Sequence, residues 1–356
     1  MSRDFPSLDH PIIQAPMAGG PSTPALAAAV SNAGGLGFLA AGYKSPDDLR
    51  ADIAKTRELT SAPVGVNLFL VEEAPVDRVG LAAFASAIEP EARRYKVTLG
   101  EPRFDDDALE AKLEIVYRER PPIVSFTFGC PPSEVIQRLH GLDIAVWVTV
   151  TEVEEALVAA QAGADALIVQ GVEAGGHRGS FRDTDGYGEI ALLPLLRLIA
   201  RASGLPLIAS GGIADGFAVA AVLAAGARAA QIGTAFMRCP EAATYDPHRE
   251  ALIQPDPTAL TRAFSGRRAR GIVNAFMREH SNKAPSAYPH INRLTAPLRA
   301  AVRQAGSADA INLWAGQAHA LAEARPAGDL VRRWSIEACT ALEEARSKLT
   351  TRSSHS

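Results

Sequence analysis

Residues 170–180 read QGVEAGGHRGS, which sets one imidazole, His177, among Gly175, Gly176 and Gly179 just after the apolar run 166–169. Glycine has no Cβ, so backbone can pass close to a ligand there. An imidazole beside such a path could take a proton from carbon or, once protonated, hold an anionic substrate. The plainer reading is an ordinary histidine on a surface loop. Arg178 beside it reads as a surface or phosphate-side charge rather than a catalytic group.

Two more glycine stretches follow short apolar runs: Ser210-Gly211-Gly212-Ile213-Ala214-Asp215 and Gln231-Ile232-Gly233-Thr234. Free backbone N–H groups in such loops can cradle phosphate, with a following helix N-terminus adding donors. Taken singly, each loop needs its glycines only for a tight turn. Gln14, Asn67 and Gln170 stand in or at the ends of other apolar runs, with Pro16 and Met17 just beyond Gln14. Paired amide donors and acceptors could read the pyrimidine-like edge of a flavin against an apolar wall. They could equally satisfy local backbone, and Met17 could simply pack. Cys130 is either a pocket thiol or a buried inert one. The basic run 262–270, RAFSGRRAR, could help bind an anion, but a solvated or domain-bridging face is its commoner use. The sequence contains no nucleophile elbow, P-loop, HExxH or paired-cysteine motif, so no metal is expected.

These residues need a frame. Val- and Ile-rich runs at 11–17, 35–40, 63–70, 122–128, 144–150, 166–170, 206–210 and 229–234 alternate with alanine-rich stretches of helical period. Thr23 or Pro24 opens the first helix, Ser45-Pro46-Asp47-Asp48 caps the second, and Thr151-Glu152-Val153-Glu154 opens another. Eight buried strands interleaved with helices imply an α/β fold, a (β/α)8 TIM barrel, with a doubly wound open sheet as the alternative. In a barrel the carboxyl ends of the strands form the active face, and the loops after strands seven and eight commonly take phosphate. The segment 71–107 is long for a connection and should hold short helices near that face. Beyond Cys239-Pro240 the pattern turns helical and proline-rich. The expected division is a barrel over 1–239, a smaller, mainly helical second domain over 240–306, and helices over 307–356 packing back on the barrel.

The 356 residues carry a net charge of -4, with 47% hydrophobic and 21% charged residues, which argues against electrostatic capture of nucleic acid. Cys130, Cys239 and Cys339 are odd in number and far apart, fitting neither a disulfide framework nor a zinc site. The first ten residues lack the basic start and apolar core of a secretory signal, and no run suits a membrane span. The reading is a cytoplasmic protein without membrane contact, ending in a frayed polar tail over 350–356.

Taken in order, Gln14-Ala15-Pro16-Met17 with Gly19-Gly20, Gly65-Val66-Asn67-Leu68, the stretch from Gln170 through Gly179, Ser210 to Ile213 and Gln231 to Thr234 resemble the nitronate monooxygenases, formerly called 2-nitropropane dioxygenases. The resemblance spans about residues 11 to 238 and continues more weakly from Tyr288-Pro289 to Leu313–Gln317. It implies a TIM barrel holding non-covalent FMN, with flavin contacts at Ala15, Pro16, Met17, Asn67, Gln170, Gly175, Gly212, Gln231, Ile232, Gly233 and Thr234. His177 corresponds to the family's active-site histidine and would also bind substrate, with Tyr288 as a second pocket residue. The implied reaction oxidises alkyl nitronates such as propionate 3-nitronate with O2 to a carbonyl compound and nitrite-level nitrogen products, through a flavin semiquinone and without NAD(P)H. The nearest rival is an FMN-dependent enoyl-acyl-carrier-protein reductase or NADH:quinone reductase, families that usually carry Gly-Gly-Met where this chain has Ala15-Pro16-Met17. A non-catalytic flavin or phosphate-ligand binding protein is the third reading, and the retained His177 speaks against it.

Overall fold

The structure is a computed structural model that describes residues 5–350; positions 1–4 and nearly all of the polar tail lie outside the described residues. Among the described residues the barrel strands are β1 (Ile12–Gln14), β2 (Gly37–Ala40), β3 (Val64–Phe69), β4 (Ile123–Thr127), β5 (Ala145–Val150), β6 (Ala166–Gln170), β8 (Leu207–Ser210) and β9 (Ala229–Ile232). They pair in parallel in the order β1-β9-β8-β6-β5-β4-β3-β2. Leu36 closes the ring: its N–H donates to Ile12 O at 3.0 Å and its carbonyl accepts from Gln14 N at 2.9 Å. That closure settles the choice between barrel and open sheet, and all eight apolar runs are strands, shorter than expected by zero to four residues.

Burial on both faces explains why those runs are continuous rather than alternating. In β5, Ala145 and Trp147 fill the barrel interior with Phe38, Ile168 and Ile208. Val146, Val148 and Val150 point outward under the helices. Helices α1 (Pro24–Asn32), α2 (Pro46–Leu59), α4 (Leu109–Glu119), α5 (Ser133–His140), α6 (Val153–Ala162), α7 (Leu192–Ala202) and α8 (Gly216–Ala224) form the outer layer. Thr23 caps α1 and Ser45 makes a reciprocal capping box with Asp48 on α2, as their spacing predicts. Residues 151–154 do open α6, although the Glu152 side chain does not cap it, accepting instead from Gly188 N at 2.7 Å, and Thr151 bonds Glu155.

The segment 71–107 differs from expectation. It holds one long helix, α3 (Arg78–Arg94), whose first turn is capped by Asp77 through Val79 N and Gly80 N. Leu81, Phe84 and Ile88 pack it against the chain beyond the barrel, including Ile291, Leu294 and Leu298. Beyond β9 come α9 (Asp246–Ala251), α10 (Ala275–His280), α11 (His290–Gln304) and α12 (Ala327–Thr350), together with a hairpin that the sequence reading lacks. Its strands, β10 (Thr258–Thr261) and β11 (Ala269–Ile272), are four residues each, and Arg268 and Arg270 mask the alternation in the basic run. β11 also pairs antiparallel with β7 (Gly176–His177), Ala269 opposite His177. The histidine loop thus lies in a small sheet, not free at the surface.

α12 lies across α8 and α1. Gly216 permits the approach: a Cβ there would sit 2.5 Å from Trp334 O, and its N–H donates to Glu337 Oε2 at 3.0 Å. Among the described residues no helix is long and apolar enough to cross a membrane.

The tightest helix-to-strand approach lies at Gly37, where an added Cβ would stand 2.0 Å from the Ala27 carbonyl oxygen of α1. Gly37→Ala is predicted to destabilise the fold by at least ~1–3 kcal/mol. Gly204→Ala, with nothing within 4 Å of its Cβ, serves as control and should leave urea denaturation nearly unmoved.

Candidate active site at the carboxyl ends of the barrel strands

A cavity of about 210 Å³ opens where the strands end. Its wall includes Ala15, Pro16, Met17, Asn67, Gln170, Gly175, His177, Gly212, Gln231, Gly233 and Thr234, so residues spread over more than 200 positions converge at one place. Two candidates stand apart. Ile232 follows Gln231 on a strand and therefore points the other way; its side chain is buried in the core between barrel and helices, and its carbonyl is taken by Ala15 N at 2.8 Å. Tyr288 stands behind the wall, its hydroxyl donating to Tyr43 Oη at 3.2 Å, and Tyr43 is the member of that pair lining the cavity.

The amides separate into two groups. Gln14 is fully buried and spent on structure: its Oε1 accepts from Phe38 N at 3.0 Å and its Nε2 donates to Ser22 Oγ at 2.9 Å. Ser22 Oγ in turn accepts from Met17 N at 2.8 Å, which shapes the turn carrying Ala15, Pro16 and Met17. Gln170 holds the histidine loop, donating to His177 O at 3.1 Å and accepting from Gly179 N at 2.8 Å. Asn67 uses only its nitrogen, on Ser125 Oγ at 2.9 Å and Thr127 Oγ1 at 3.0 Å, which leaves its oxygen for a donor in the cavity. Gln231 Oε1 is buried without a hydrogen-bond partner among the described residues. A buried acceptor left unpaired costs about 1–3 kcal/mol, so a ligand donor is called for at this point.

The two glycine loops supply the opposite polarity. Gly211 and Gly212 have φ of +117° and +69°, the left-handed region that glycine tolerates. Among the described residues the N–H groups of Gly211, Gly212, Gly233 and Thr234 donate to no backbone acceptor and line the cavity. The first turn of α8 adds less than expected, because Asp215 already accepts from Ala218 N at 2.8 Å and Glu337 from Gly216 N.

His177 is held by Ser265, with Nε2 to Oγ at 2.8 Å. The Ser265 hydroxyl donates to Arg267 O at 3.1 Å, and the network therefore assigns the ring proton to Nε2. Nδ1 makes no hydrogen bond within the described chain and is not sealed in the interior. Phe128, Tyr288 and Trp314 meet the ring edge-on at 5.8, 5.7 and 5.6 Å. Burial, and then the Arg267 charge, hold the imidazole pKa down to about 3, with Asp183 opposing. The histidine is neutral, with a lone pair facing the cavity.

The sequence pattern of the nitronate monooxygenase family matches residues 5–335. A nitronate monooxygenase from Paraburkholderia phytofirmans is 41% identical over 349 residues, 95% of each chain. One from Pseudomonas aeruginosa is 42% identical over 341 residues, covering 91% of this chain and 95% of its own. A crystal structure of nitroalkane oxidase from Streptomyces ansochromogenes superposes with a TM-score of 0.92 at 48% identity, over 97% of this chain and 99% of the other. The chain belongs to the nitronate monooxygenase family. It is an oxidoreductase built on a TIM barrel.

Around this cavity the arginines are internal, which corrects the surface reading of Arg178. That side chain is fully buried and donates to Gly171 O at 2.7 Å, Gln170 O at 2.8 Å and Gly188 O at 3.0 Å. A guanidinium presents five donors in a fixed fork, enough to tie three carbonyls where β6 leaves the barrel. The basic run 262–270 is likewise buried rather than solvated and bridges toward the barrel loop. Asp183 accepts from Arg262 at 2.9 Å and Arg268 at 3.0 Å, and Arg267 lies 4.2 Å over the Phe128 ring. Cys130 does not line the cavity, and burial pushes its thiol up to about 11.

Tyr43 and Phe128 line the cavity and Ser265 holds His177, and sequence reasoning named none of the three for this place. Tyr43 and Phe128 have φ of 66° and 81°, a region bulky side chains avoid at a cost of about 1–3 kcal/mol. Such strain leaves no mark in composition or period. Ser265 sits inside the basic run, where its neighbours' charges hide it.

Because His177 is neutral, its ring nitrogens should not titrate between roughly pH 5 and 8. Long-range ¹H–¹⁵N spectra of histidine-labelled protein, assigned with His177→Asn, should show the Nε2–H tautomer throughout. A midpoint near the usual 6.5 would contradict this placement.

Proposed function

We propose that this chain oxidises alkyl nitronates, propionate 3-nitronate among them, with O2 and bound FMN, yielding a carbonyl compound and nitrite-level nitrogen products without NAD(P)H. One observation carries the reading: a neutral His177 presents Nδ1 to a cavity that also holds an unpaired acceptor at Gln231 and unpaired donors at Gly211, Gly212, Gly233 and Thr234. That donor set fits the flavin. The four N–H groups suit its phosphate, the oxygens of Gln231 and Asn67 suit a ring N–H, and Ala15, Pro16 and Met17 give the ring an apolar wall. Gly175 lets the Ala315–Gly316 backbone close the cavity wall, an added Cβ there standing 2.5 Å from Gly316 N, and Ile232 offers backbone only. When bound, FMN supplies the electron acceptor and the route to O2.

The protein's part is to place the substrate and to hold or remove a proton at it. With a neutral nitroalkane, Nδ1 takes the α-carbon proton and leaves a nitronate beside the new imidazolium. With a nitronate, the anion's own charge raises the pKa of the imidazole, so Nδ1 takes a proton from solvent and keeps it in a hydrogen bond to a nitronate oxygen. Ser265 keeps Nε2 occupied in both cases, so Nδ1 is the working atom. Phe128 and Trp314 exclude water around the ring, and Tyr288 buttresses it while Tyr43 meets the substrate. Three free thiols suit a reducing cytoplasm.

His177→Asn should retain FMN and lose turnover of propionate 3-nitronate by about 10²–10⁴-fold in an oxygen-electrode and nitrite assay. Undiminished turnover removes the role of His177. Rapid anaerobic bleaching of the flavin by NADH would instead favour the reductase reading.

A further inference from the structure

We propose that Asp107, backed by the buried Lys112, is a positioning residue that holds Tyr43 in its strained turn, so that the Tyr43 hydroxyl donates into the cavity that His177 faces. The use of that hydroxyl on a substrate rests on the nitronate reading above; the placement of the tyrosine does not.

Tyr43 follows β2 in a turn that Lys44 N closes on Ala41 O at 3.2 Å. Its φ of 66° sets a bulky aromatic at a turn position that glycine usually fills. Such strain persists only where the surroundings over-determine it, and it gathers at working sites. The side chain is 41% exposed where it lines the cavity, so its own burial does not hold the turn. Asp107 supplies the polar hold: its Oδ1 accepts from Tyr43 N at 2.9 Å.

Asp107 is itself fixed from two sides. Its Oδ2 meets Lys112 Nζ of α4 at 2.7 Å, and Lys112 is 1% exposed. Among the described residues that ammonium has no other partner, and no step of the proposed reaction uses it. Lysine is almost never fully buried unless paired, so the pair holds the carboxylate where Tyr43 N needs it. From the other side, Asp107 N donates to Asp105 Oδ1 at 2.8 Å, and Asp105 pairs with Arg293 in the first turn of α11. Residues 105–107 thus grip both tyrosines, Tyr43 by its backbone and Tyr288 through the helix that begins two residues after it. Because Tyr288 Oη donates to Tyr43 Oη at 3.2 Å, the Tyr43 proton is left for an acceptor in the cavity, and a nitronate oxygen is one.

Double variants test this without leaving a buried charge unpaired, since Lys112→Met removes the ammonium in each. Asp107→Gly/Lys112→Met keeps the left-handed backbone accessible at 107 but has no acceptor for Tyr43 N, whereas Asp107→Asn/Lys112→Met restores one. On the FMN-loaded protein the glycine variant should lose about tenfold in kcat/KM for propionate 3-nitronate, and Tyr43→Phe should lose as much. The asparagine variant should recover most of that loss. Adding the glycine pair to Tyr43→Phe should cost nothing further, because both act through one hydroxyl. Crystal structures read the placement without turnover: Tyr43 should keep its left-handed φ and its contact with Tyr288 in the asparagine variant and leave both in the glycine variant. Unchanged turnover in Tyr43→Phe overturns the proposal, even if the glycine variant does not fold. Equal losses in the glycine and asparagine variants, losses that add to that of Tyr43→Phe, or a Tyr43 that stays in place in the glycine variant overturn it as well. If Tyr43 moves as expected and wild type turns over no nitronate, Asp107 keeps its positioning role and the nitronate reading fails.

Discussion

The antiparallel pairing of Gly176–His177 with Ala269–Arg270 is the contact on which the site depends. A two-residue strand cannot hold itself. It stays in place because Gln170 binds the loop from inside the barrel, Arg178 ties three carbonyls at its root, and Arg267 reaches back to Arg178 O. Through this pairing the loop after β6 and the chain beyond β9 become one wall. Closing that wall over the imidazole strips it of water, and desolvation keeps His177 neutral. Geometry and protonation state therefore have one origin.

Charge is arranged in two ways around that wall. Arg262 and Arg268 converge on Asp183 and pin the post-barrel hairpin to the barrel loop. Removing one partner of such a buried pair costs more than the pair itself contributes, so the bridge is strongly constrained once formed. Among the described residues Arg178, Arg299 and Arg303 have no carboxylate partner. They leave the region electropositive, and an anionic substrate entering from water loses less by desolvation in such a field than in a neutral cavity.

Much of this was legible in the residues. Eight β-rich runs at barrel spacing, capping signals at Thr23 and Ser45, and glycines after the last two runs each have a local physical cause, and each stands where that cause puts it. What could not be read depends on distance in space. Arg178 looks solvated from its neighbours, yet its three acceptors, Gln170 O and Gly171 O at the end of β6 and Gly188 O in the segment before α7, come together only in the folded chain. The hairpin in 258–272 follows no alternating pattern because its arginines satisfy partners in another loop. Strand parity turns the Ile232 side chain to the outer face, so only its backbone can belong to the cavity that Gln231 and Gly233 line. Nothing in the local sequence of Tyr43 and Phe128 requires their left-handed φ.

The central claim is that Ser265 holds Nε2 so that Nδ1 of a neutral His177 meets the substrate. A crystal structure of the FMN-loaded protein with a nitroalkane or nitronate analogue would test it most directly. The account predicts Nε2 still on Ser265 and Nδ1 within about 3 Å of the analogue's reacting carbon or a nitro oxygen. An imidazole turned away from Ser265 with Nε2 on the analogue, or an analogue bound out of reach of His177, would contradict it.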